Sequence, residues 1–508
     1  MVLSGAWRLD ALITIFYQMS LFFSVQLLFV IFLDYMPRTT CDADNYCYKL
    51  NGKCMSNYDK NLPSLCPAND TKFLECVEDK KRLDFISAQY EYQHGCTGLR
   101  SFSISTVTFI GTLFGNTVLG SMADKLGRKP AYLTALAIGI PSIVLAAAVP
   151  GVTAFYIFRL LAGFAVSGTM TVGWTYGSEM ISPSMRLRLR TFPNWANARM
   201  MQVAVAYFTG EWRLESYWHS GLSLILVPIM LFLPESPVFL EQKQKYDEAH
   251  AARAKIARIC NLPYSEKEIG ETKKLKKVTI GRVFRSPHLR KNFLVLCWMW
   301  FYVGTCVYIT DLNGGDMSKN FYVGQFFSGF MLSISRIAVG IAEPNFKWLG
   351  RRLLFLTAQG ISLICYIIIL VALYTDSKSQ IWYTITYICA YSFQSLCLEP
   401  CYLCLAELMP TDVRTTVGAV VNILMKIGTI IATTTVPLKY SYEPALFWIN
   451  LALGAFGWIV IYIFLEESRF LNLLTVGQED VSEEAEIVPD DGAGPTRSGS
   501  ASNSKKEN

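Results

Sequence analysis

Apolar residues in this chain collect into twelve blocks separated by shorter polar segments. Each block is close to the roughly 20 residues that an α-helix needs to cross the hydrocarbon core of a bilayer. The polar segment 234–290 divides the blocks six and six, which predicts an all-α polytopic membrane protein with an N-terminal half over 12–233 and a C-terminal half over 291–466. The blocks, called spans 1 to 12 below, lie at 12–33, 102–122, 131–149, 154–177, 191–209, 217–233, 292–310, 321–342, 353–373, 381–404, 415–435 and 444–465.

The composition agrees with membrane insertion. Hydrophobic residues make up 52% of the chain and charged residues 17%, whereas soluble domains carry about 25% charged residues. The net charge of +6 would also suit a nucleic-acid partner, but the basic residues lie in the turns between spans and in the 234–290 segment. This placement is typical of the cytoplasmic loops of membrane proteins, so we expect no nucleic-acid partner.

The same basic loops predict the orientation of the chain. The stretch 243–291 contains 14 Lys or Arg against 5 Asp or Glu, and the turns after spans 2, 4 and 8 are basic as well. If every span crosses once, all of these segments lie on one side, which the positive-inside bias assigns to the cytoplasm. Both ends of the chain, 1–11 and the acidic, then Gly- and Ser-rich tail 467–508, are predicted to be cytoplasmic, with the tail disordered.

The loop 34–100 between spans 1 and 2 is expected to lie outside the cell, as in a plasma-membrane protein. An even number of cysteines in such a loop favours disulfides in an oxidising exterior. Zinc binding is the alternative, disfavoured because the loop lacks a paired C-x-x-C spacing. The sequon at Asn69 predicts glycosylation. The six cysteines of the loop, whose pairing the spacing leaves open, are Cys41, Cys47, Cys54, Cys66, Cys76 and Cys96.

The turn between spans 2 and 3 carries the most specific motif of the chain. It runs from Gly120 through Asp124, Gly127 and Arg128 to Lys129. Glycines allow a tight turn and a close approach of helices, and a carboxylate at a helix end can pair with basic groups or with the positive end of another helix. We therefore interpret Gly120, Asp124, Gly127 and Arg128 as gating residues.

A weaker copy of this motif follows span 8. It keeps Gly350 and Arg351 but has Lys347 in the place of the aspartate. A latch formed by the second half is therefore expected to differ from that of the first.

A second repeat links the two halves. Glu179 precedes Arg186 by seven residues, and Glu407 precedes Arg414 by the same distance, each pair closing an even-numbered span. Acid and base at matching ends predict ion pairs that form and exchange as a gate closes and opens. The alternative is that these residues only anchor the helices at the membrane interface.

The motifs resemble those of the major facilitator superfamily, and within it the organic ion transporter family of organic cation, organic anion and carnitine carriers. The resemblance rests on the cysteine-bearing loop, on the string Pro234-Glu235-Ser236-Pro237 after span 6, and on the string from Ala406 to Arg414. It covers nearly the whole chain except the tail. It implies two six-helix halves that move a small organic ion by alternating access, with membrane lipids as the other partner and with no cofactor or metal.

Charged residues inside spans are functional candidates because burying charge in a bilayer is costly. Three are basic: Arg199 in span 5, Arg336 in span 8 and Lys426 in span 11. Resemblance to the family implies that cation carriers have an aspartate at the place of Lys426 and that anion or carnitine carriers have an arginine there. Similar anion carriers have a lysine at the place of Arg336. Both positions favour an anionic solute, although Glu399 in span 10 leaves a zwitterion open.

Aromatic side chains would supply flat apolar walls for an organic ion. The candidates are Trp195, Tyr302, Tyr308 and Tyr402. For each of them, packing against lipid or other helices is the alternative, as snorkelling or a helix carbonyl is for the basic residues.

Other classes of protein fit less well. The chain has four histidines, which lie in predicted loops or near span ends, and no nucleophile elbow, phosphate loop or H-E-x-x-H string, so we expect no enzyme. A receptor or adhesion protein that uses the 34–100 loop would not need the gating motif. An organic cation carrier is the main alternative to an anion or zwitterion carrier.

Overall fold

The computed structural model shows two six-helix halves, and the segment between the halves also forms short helices. The strands Lys49–Leu50 and Lys53–Cys54 pair antiparallel within the loop after span 1. The other cysteines of that loop and Asn69 lie outside the described residues. The structure describes residues 6–35, 49–50, 53–54, 85–92, 104–181, 192–262, 281–314, 317–318, 320, 321–346, 350–378, 380–409, 413–435, 438 and 442–467.

In the N-terminal half, span 1 is broken by a 3₁₀ turn and span 6 consists of two helices. The helices of spans 1 to 6 are Ala6–Ser24 with Val25–Leu27 and Val30–Leu33; Ile104–Leu126; Arg128–Ala148; Val152–Met180; Trp195–Thr209; and Trp212–Ser223 with Leu226–Phe232. A short helix, Ala88–Glu91, precedes span 2.

In the C-terminal half, span 10 is divided in the same way. The helices of spans 7 to 12 are Pro287–Leu312; Phe321–Asn345; Arg351–Tyr374; Ile381–Leu396 with Leu398–Leu408; Arg414–Thr434; and Pro444–Phe464. The helices between the halves are Pro237–Gln242, Tyr246–Cys260 and Gly281–Arg285. Within the described parts of the chain, eight helical segments are long and apolar enough to cross a membrane.

Proline explains the two breaks that the hydrophobic pattern did not predict. Span 6 is interrupted between Ser223 and Leu226, and span 10 between Leu396 and Leu398. A proline lacks the N–H that would bind the carbonyl four residues earlier, and its ring clashes with that carbonyl. Pro228 and Pro400 stand at that spacing after each break.

Small residues bring the helices of each half into close contact. In spans 2 and 4, a Cβ added at Gly163 would lie 2.1 Å from the Thr108 carbonyl oxygen, and one at Gly111 would lie 2.2 Å from the Leu160 carbonyl oxygen. Helix backbones approach this closely only where no side chain intervenes. Spans 2 and 4 therefore pack backbone against backbone, as do spans 7 and 11 of the other half, where a Cβ at Gly304 would lie 2.4 Å from the Met425 carbonyl oxygen.

Each span crosses once, so the turns at 124–129 and 350–352 lie on the same face of the bundle, called the motif face below. The halves meet toward the opposite face. There the Phe32 ring packs edge-on against Phe321 with centroids 4.8 Å apart, and the hydroxyls of Thr106 and Thr433 lie 2.9 Å apart. These contacts join the ends of spans 1 and 2, which border the 34–100 loop, to spans 8 and 11 of the other half.

Candidate functional site

A cavity of about 280 Å³ lies between the two halves. Both halves line it, with spans 1, 2, 4 and 5 on one side and spans 7, 8, 10 and 11 on the other. Six of the eight residues expected to hold the solute are among its lining residues: Trp195, Tyr308, Arg336, Glu399, Tyr402 and Lys426. A cavity at the interface of two domains is a common position for a small-molecule site.

Lys426 lies in the middle of span 11 and faces this cavity. Its side chain is buried, with 7% of the residue exposed. Across the described part of the chain, no carboxylate or hydrogen-bond acceptor partners its ammonium group. A buried ammonium without a counter-ion is costly, and a negative charge placed beside Lys426 would lower that cost.

Arg336 and Glu399 stand together on another wall of the cavity. Their closest atoms, Arg336 Nη1 and Glu399 Oε1, are 3.9 Å apart, at the edge of ion-pair distance. The Nε of Arg336 is buried and lacks a hydrogen bond. Glu399, which could have attracted a cation, is therefore balanced by a base of its own half.

Arg199 holds the two halves together instead of facing the cavity freely. Its Nη1 donates to Asp311 Oδ1 at 2.6 Å and to the Tyr391 hydroxyl at 2.7 Å, and its Nη2 donates to Gln325 Oε1. The hydroxyl of Tyr391 also donates to Asp311 Oδ2 at 3.2 Å. Span 5 is thus bound to spans 7, 8 and 10 by one buried cluster.

The hydrophobic pattern pointed to Arg199 but missed its partners. Asp311 follows the last residue of the predicted span 7 and so looked like a loop residue, although the helix continues through Leu312. Tyr391 and Gln325 are ordinary residues of apolar helices. Asp311 and Tyr391 also line the cavity, so the cluster closes its end toward the opposite face.

Three of the four aromatic candidates form walls of the cavity. Trp195 lines it from the N-terminal half and Tyr402 from the C-terminal half, and Tyr308 contacts Phe109 across the interface with ring centroids 5.1 Å apart. Tyr302 does not join them. It is fully buried in the core of the C-terminal half, where its hydroxyl donates to Gln394 Oε1 at 3.0 Å.

The predicted gating motif of the first half forms a cluster at the motif face. Arg128 Nη1 donates to Asp124 Oδ1 at 2.7 Å, and Nη2 donates to Glu179 Oε1 at 3.2 Å. Glu235 accepts from the backbone N–H of Arg128 at 3.1 Å. Gly127 has φ +123°, and a Cβ there would lie 2.5 Å from Glu235 Oε2.

The second half repeats this arrangement. Arg351 Nη2 donates to Glu407 Oε1 at 2.9 Å, and Glu467 accepts from the backbone N–H of Arg351 at 2.7 Å. Gly350 lies directly beside the Glu467 carboxylate: a Cβ built at Gly350 would lie 2.0 Å from Glu467 Oε2. Glu179 at the end of span 4 and Glu407 at the end of span 10 therefore pair with the arginine that opens the preceding span, Arg128 of span 3 and Arg351 of span 9.

The capping carboxylates were missed as site residues, although the chain repeats them. Glu235-Ser236 follows span 6 and Glu467-Ser468 follows span 12. Carboxylates are favoured at a helix N-terminus, where backbone N–H groups lack partners.

Two of the remaining gating candidates, Arg414 and Gly120, lie outside the two charged clusters. Arg414 donates to the Met409 carbonyl from Nε at 3.2 Å. No atom lies within 4 Å of a Cβ built at Gly120. Arg186 and Lys347 lie outside the described residues. Among the described residues, no group of three His, Cys, Asp or Glu side chains could hold a metal ion.

Residues 49–479 match the family model described as sugar (and other) transporter. The chain belongs to this family. Transport of solutes across a membrane is therefore its function, and the interpretation as a major facilitator protein and not an enzyme is confirmed.

The chain is also similar to individual proteins, among them organic ion transporters. The chain is 28% identical over 491 residues to an uncharacterized protein of Caenorhabditis elegans, F23F12.3, covering 94% of this chain and 95% of the relative. It is 27% identical to an organic cation transporter protein of Drosophila melanogaster, covering 52% of this chain and 51% of the relative. It is 26% identical to organic anion transporter 3 of Mus musculus, covering 73% and 71%. The resemblance to organic ion transporters is thus confirmed.

A solved structure supports the fold. The proton:xylose symporter XylE bound to 6-bromo-6-deoxy-D-glucose superposes with a TM-score of 0.61 at 14% identity, covering 94% of this chain and 99% of that one. At this identity the similarity concerns the fold alone. It confirms the predicted architecture of twelve spans in two halves.

Proposed function

We propose that this transporter moves an organic anion or zwitterion, with Lys426 as the residue that selects negative charge. The unpartnered ammonium of Lys426 in the cavity carries the proposal. A solute carboxylate, sulfate or sulfonate would supply the missing counter-ion, and charge-assisted hydrogen bonds of this kind are among the stronger polar contacts.

The other charges of the site support this choice because they cancel in pairs. Arg199 is compensated by Asp311 at 2.6 Å, and Arg336 stands beside Glu399 at 3.9 Å. Three bases and two acids leave a charge of +1 in and around the cavity. A monoanion would neutralise it, whereas a cation would raise the uncompensated charge.

The looser pair explains how a zwitterion would fit. Because their closest atoms are 3.9 Å apart, the electrostatic attraction between Arg336 and Glu399 is weaker than in a close ion pair. A cationic group on the solute could therefore approach Glu399 while the anionic group binds Lys426. The aromatic walls of Trp195, Tyr308 and Tyr402 would cover an apolar body between them.

Access to the cavity is proposed to alternate between the two faces. The buried cluster of Arg199 and the ring contacts of Phe32 close the bundle toward the opposite face. The cavity lining includes Thr175, Glu399 and Tyr402, which lie in the motif-face halves of spans 4 and 10. If the motif face is cytoplasmic, as the basic loops suggest, this conformation faces inward.

Rocking of the halves would break the Arg199 cluster and bring the motif-face ends together. Asp124 has a side chain that is 76% exposed in this conformation and is available for new contacts when that face closes.

We propose further that the protein resides in the plasma membrane with both termini cytoplasmic and with the cysteine-bearing loop outside. Disulfides and glycosylation at Asn69 remain predictions for that loop.

Uptake into cells that express the chain tests charge selection. Three small labelled organic probes differ in charge: 2-naphthalenesulfonate is the anion, phenyltrimethylammonium the cation and carnitine the zwitterion. We expect uptake of the anion or the zwitterion, its loss in Lys426→Ala, and its partial retention in Lys426→Arg. The membrane potential is clamped so that it does not select the charge.

Three outcomes would reject the proposal. Preferred uptake of the cation by the wild type would favour the organic cation reading that the Drosophila relative suggests. Unchanged anion uptake in both Lys426→Ala and Lys426→Asp, at equal surface expression, would remove Lys426 from the site. Binding of a ligand at the cell surface without uptake of any probe would favour a receptor.

A further inference from the structure

Three basic residues lie where the motif-face end of span 6 meets the helix Tyr246–Cys260 of the segment between the halves. Lys129, Lys255 and Arg258 are called the basic surface below. None of the three lines the solute cavity. Positive charge next to the end of a span is a candidate for contact with the headgroups of anionic lipids.

The helix Tyr246–Cys260 is held against the start of span 1 by one apolar side. Lys255 and Arg258 are exposed and three residues apart, so they share another side of this helix. The packing thus leaves both side chains at the surface of the protein. The buried and half-buried apolar residues of the helix recur every three or four positions and are Ala249, Ala252, Ile256 and Cys260.

Exposed apolar side chains at the end of span 6 indicate the level of this surface in the membrane. Leu231 is 58% exposed, and Phe232, the last residue of its helix, is 54% exposed. Aromatic residues at the ends of spans are typical of the boundary between hydrocarbon and headgroups. The Nζ of Lys255 lies 5.6 Å from the centroid of the Phe232 ring, within the range of a cation–π contact. Lys255 therefore lies at the level of the headgroups.

Lys129, at the start of span 3, lies at the same end of span 6. Its Nζ donates to the carbonyl oxygens of Leu231 at 3.0 Å and Leu233 at 2.7 Å. An ammonium group has three donors, and no other acceptor in the described residues binds the third. Lys255 lies close enough to Lys129 for the two positive charges to repel each other. An anion between them would relieve this repulsion.

Glu235 is the carboxylate that attracts Lys129. Its oxygens already accept hydrogen bonds from the backbone N–H groups of Arg128 at 3.1 Å, Lys129 at 3.1 Å and Ser236 at 2.9 Å. Glu235 is thus held at the start of span 3 instead of bridging the two ammonium groups. Together with the basic surface, it leaves a charge of +2.

The acids of the helix Tyr246–Cys260 lie away from the basic surface. Asp247 and Glu248 are in its first turn, two turns before Lys255, and Glu248 pairs with Lys245 at 2.8 Å. In the parts of the chain that the structure describes, Lys255 and Arg258 form no ion pair. Their charges are therefore free to bind an anion from outside the protein.

An anionic phospholipid matches this surface in charge and in polarity. Phosphate oxygens of the headgroup would accept from the ammonium groups of Lys129 and Lys255, and charge-assisted hydrogen bonds are among the stronger ones. A phosphomonoester carries about −1.5 to −2 charge at neutral pH, close to the +2 of the surface. The acyl chains would lie against Leu231 and Phe232, whereas a soluble phosphate would make no use of these apolar side chains.

We propose that the basic surface binds an anionic phospholipid whose headgroup carries a phosphomonoester. The lipid contacts Lys129 of span 3 and Lys255 of the helix Tyr246–Cys260 together, so it stabilises this helix against the N-terminal half. The inference concerns the membrane and not the solute. It therefore holds whatever charge the solute carries.

Lipid binding to the purified protein in an uncharged detergent tests the surface, with dioctanoyl phosphatidylinositol 4-phosphate as the probe. Thermophoresis gives its dissociation constant, and dioctanoyl phosphatidylcholine and inositol 1,4-bisphosphate are the comparison ligands. We expect the probe to bind more tightly than either, because phosphatidylcholine has no net charge and inositol bisphosphate has no acyl chains.

Lys255→Gln and Arg258→Gln should each weaken binding of the probe about fivefold, the contribution of one basic residue near an anionic membrane surface. Lys255→Arg should retain binding because it keeps the charge. Lys245→Gln is the matched control, since its ammonium is already paired with Glu248, and it should bind the probe like the wild type. All of these side chains are exposed, so the variants should melt at the wild-type temperature without lipid.

Equal affinity of the wild type and the double variant Lys255→Gln/Arg258→Gln for the probe would overturn the site. Equal affinity of the wild type for phosphatidylcholine would overturn it as well, because the surface would then not select charge. If inositol 1,4-bisphosphate bound as tightly as the probe, the occupant would be a soluble phosphate and the lipid would be rejected. A loss in Lys245→Gln as large as that in Lys255→Gln would mean that only the net charge of the protein matters.

Discussion

Arg199 of span 5 and Asp311 of span 7 form a buried ion pair across the two halves, with Nη1 and Oδ1 2.6 Å apart and both side chains 3% exposed. Tyr391 completes the pair, since its hydroxyl binds both partners and its ring lies 5.0 Å from the guanidinium carbon. Removing one partner of such a pair is far more costly than removing both, because the survivor remains charged and buried.

Asp311→Asn is therefore predicted to destabilise the protein by about 3–5 kcal/mol in the free energy of unfolding. The double variant Arg199→Gln/Asp311→Asn should recover most of this loss. Thermal unfolding in detergent micelles measures both effects. Lys245→Gln is the control, because Lys245 and Glu248 form an exposed pair that contributes less than about 1 kcal/mol. A loss in the double variant equal to the sum of the losses in Asp311→Asn and Arg199→Gln would show that the two charges act independently.

The carboxylate of Glu467, which caps the helix that begins at Arg351, predicts different effects of alanine at Gly350 and at Gly120 on stability and uptake. Gly350→Ala would place a Cβ 2.0 Å from Glu467 Oε2 and displace the carboxylate from the backbone of Arg351. Loss of this hydrogen bond between a charged acceptor and a backbone N–H costs about 1.5–3 kcal/mol, so we expect a lower melting temperature and slower uptake. Gly120→Ala is the control, since nothing lies within 4 Å of its Cβ and alanine favours a helix. Equal behaviour of the two variants would contradict this account of the cap.

Variants of two tyrosines distinguish a residue that lines the cavity from one that packs in the core. Tyr402→Ala removes a wall of the cavity, and an aromatic contact worth about 0.5–1.5 kcal/mol predicts a KM for the solute raised roughly threefold to tenfold. Tyr302→Phe should leave KM unchanged and lower the free energy of unfolding by about 1 kcal/mol, because Gln394 loses its donor. Uptake kinetics at matched surface expression, together with thermal unfolding, would distinguish them. A raised KM in Tyr302→Phe would place that residue in the solute path after all.

The features that follow from local rules could be predicted from the sequence. Apolar length predicted the spans, and the glycine and arginine motifs identified the motif face, where Arg128 and Arg351 form matching clusters. Charges inside apolar blocks identified Lys426, Arg336 and Glu399, which do line the cavity. Burying a charge is costly at any position in a bilayer, so these residues stand out without knowledge of the fold.

Features that depend on packing between distant helices could not be predicted. Tyr302 and Tyr308 are both aromatic residues of span 7, yet one lies in the core and the other in the cavity. The partners of Arg199 come from three helices that the sequence does not place beside span 5. Glu215 preceded the predicted span 6 and so looked like a loop residue, although the helix begins at Trp212 and buries it.

Asp34, which follows span 1, predicts how stability depends on pH. Burial raises the pKa of its carboxyl from 3.8 to about 6, while the hydrogen bond from the Ser105 hydroxyl and the charge of Arg159 act in the opposite direction. Between pH 4 and about 6 the folded protein keeps this proton and the unfolded chain has lost it. The contribution of Asp34 to the free energy of unfolding therefore falls as pH rises through this window and is constant above it.

Asp34→Asn should remove this contribution, so the variant gains stability relative to the wild type as pH rises from 4 to 6 and keeps that gain at pH 7. The asparagine oxygen still accepts from Ser105, which preserves the local geometry. Melting temperatures of both proteins in detergent across pH 4 to 8 give the difference directly. Asp247→Asn, at an exposed carboxylate of the helix Tyr246–Cys260, is the control and should follow the wild-type curve. A constant difference between Asp34→Asn and the wild type at every pH would mean that the Asp34 carboxyl titrates alike in the folded and unfolded chains.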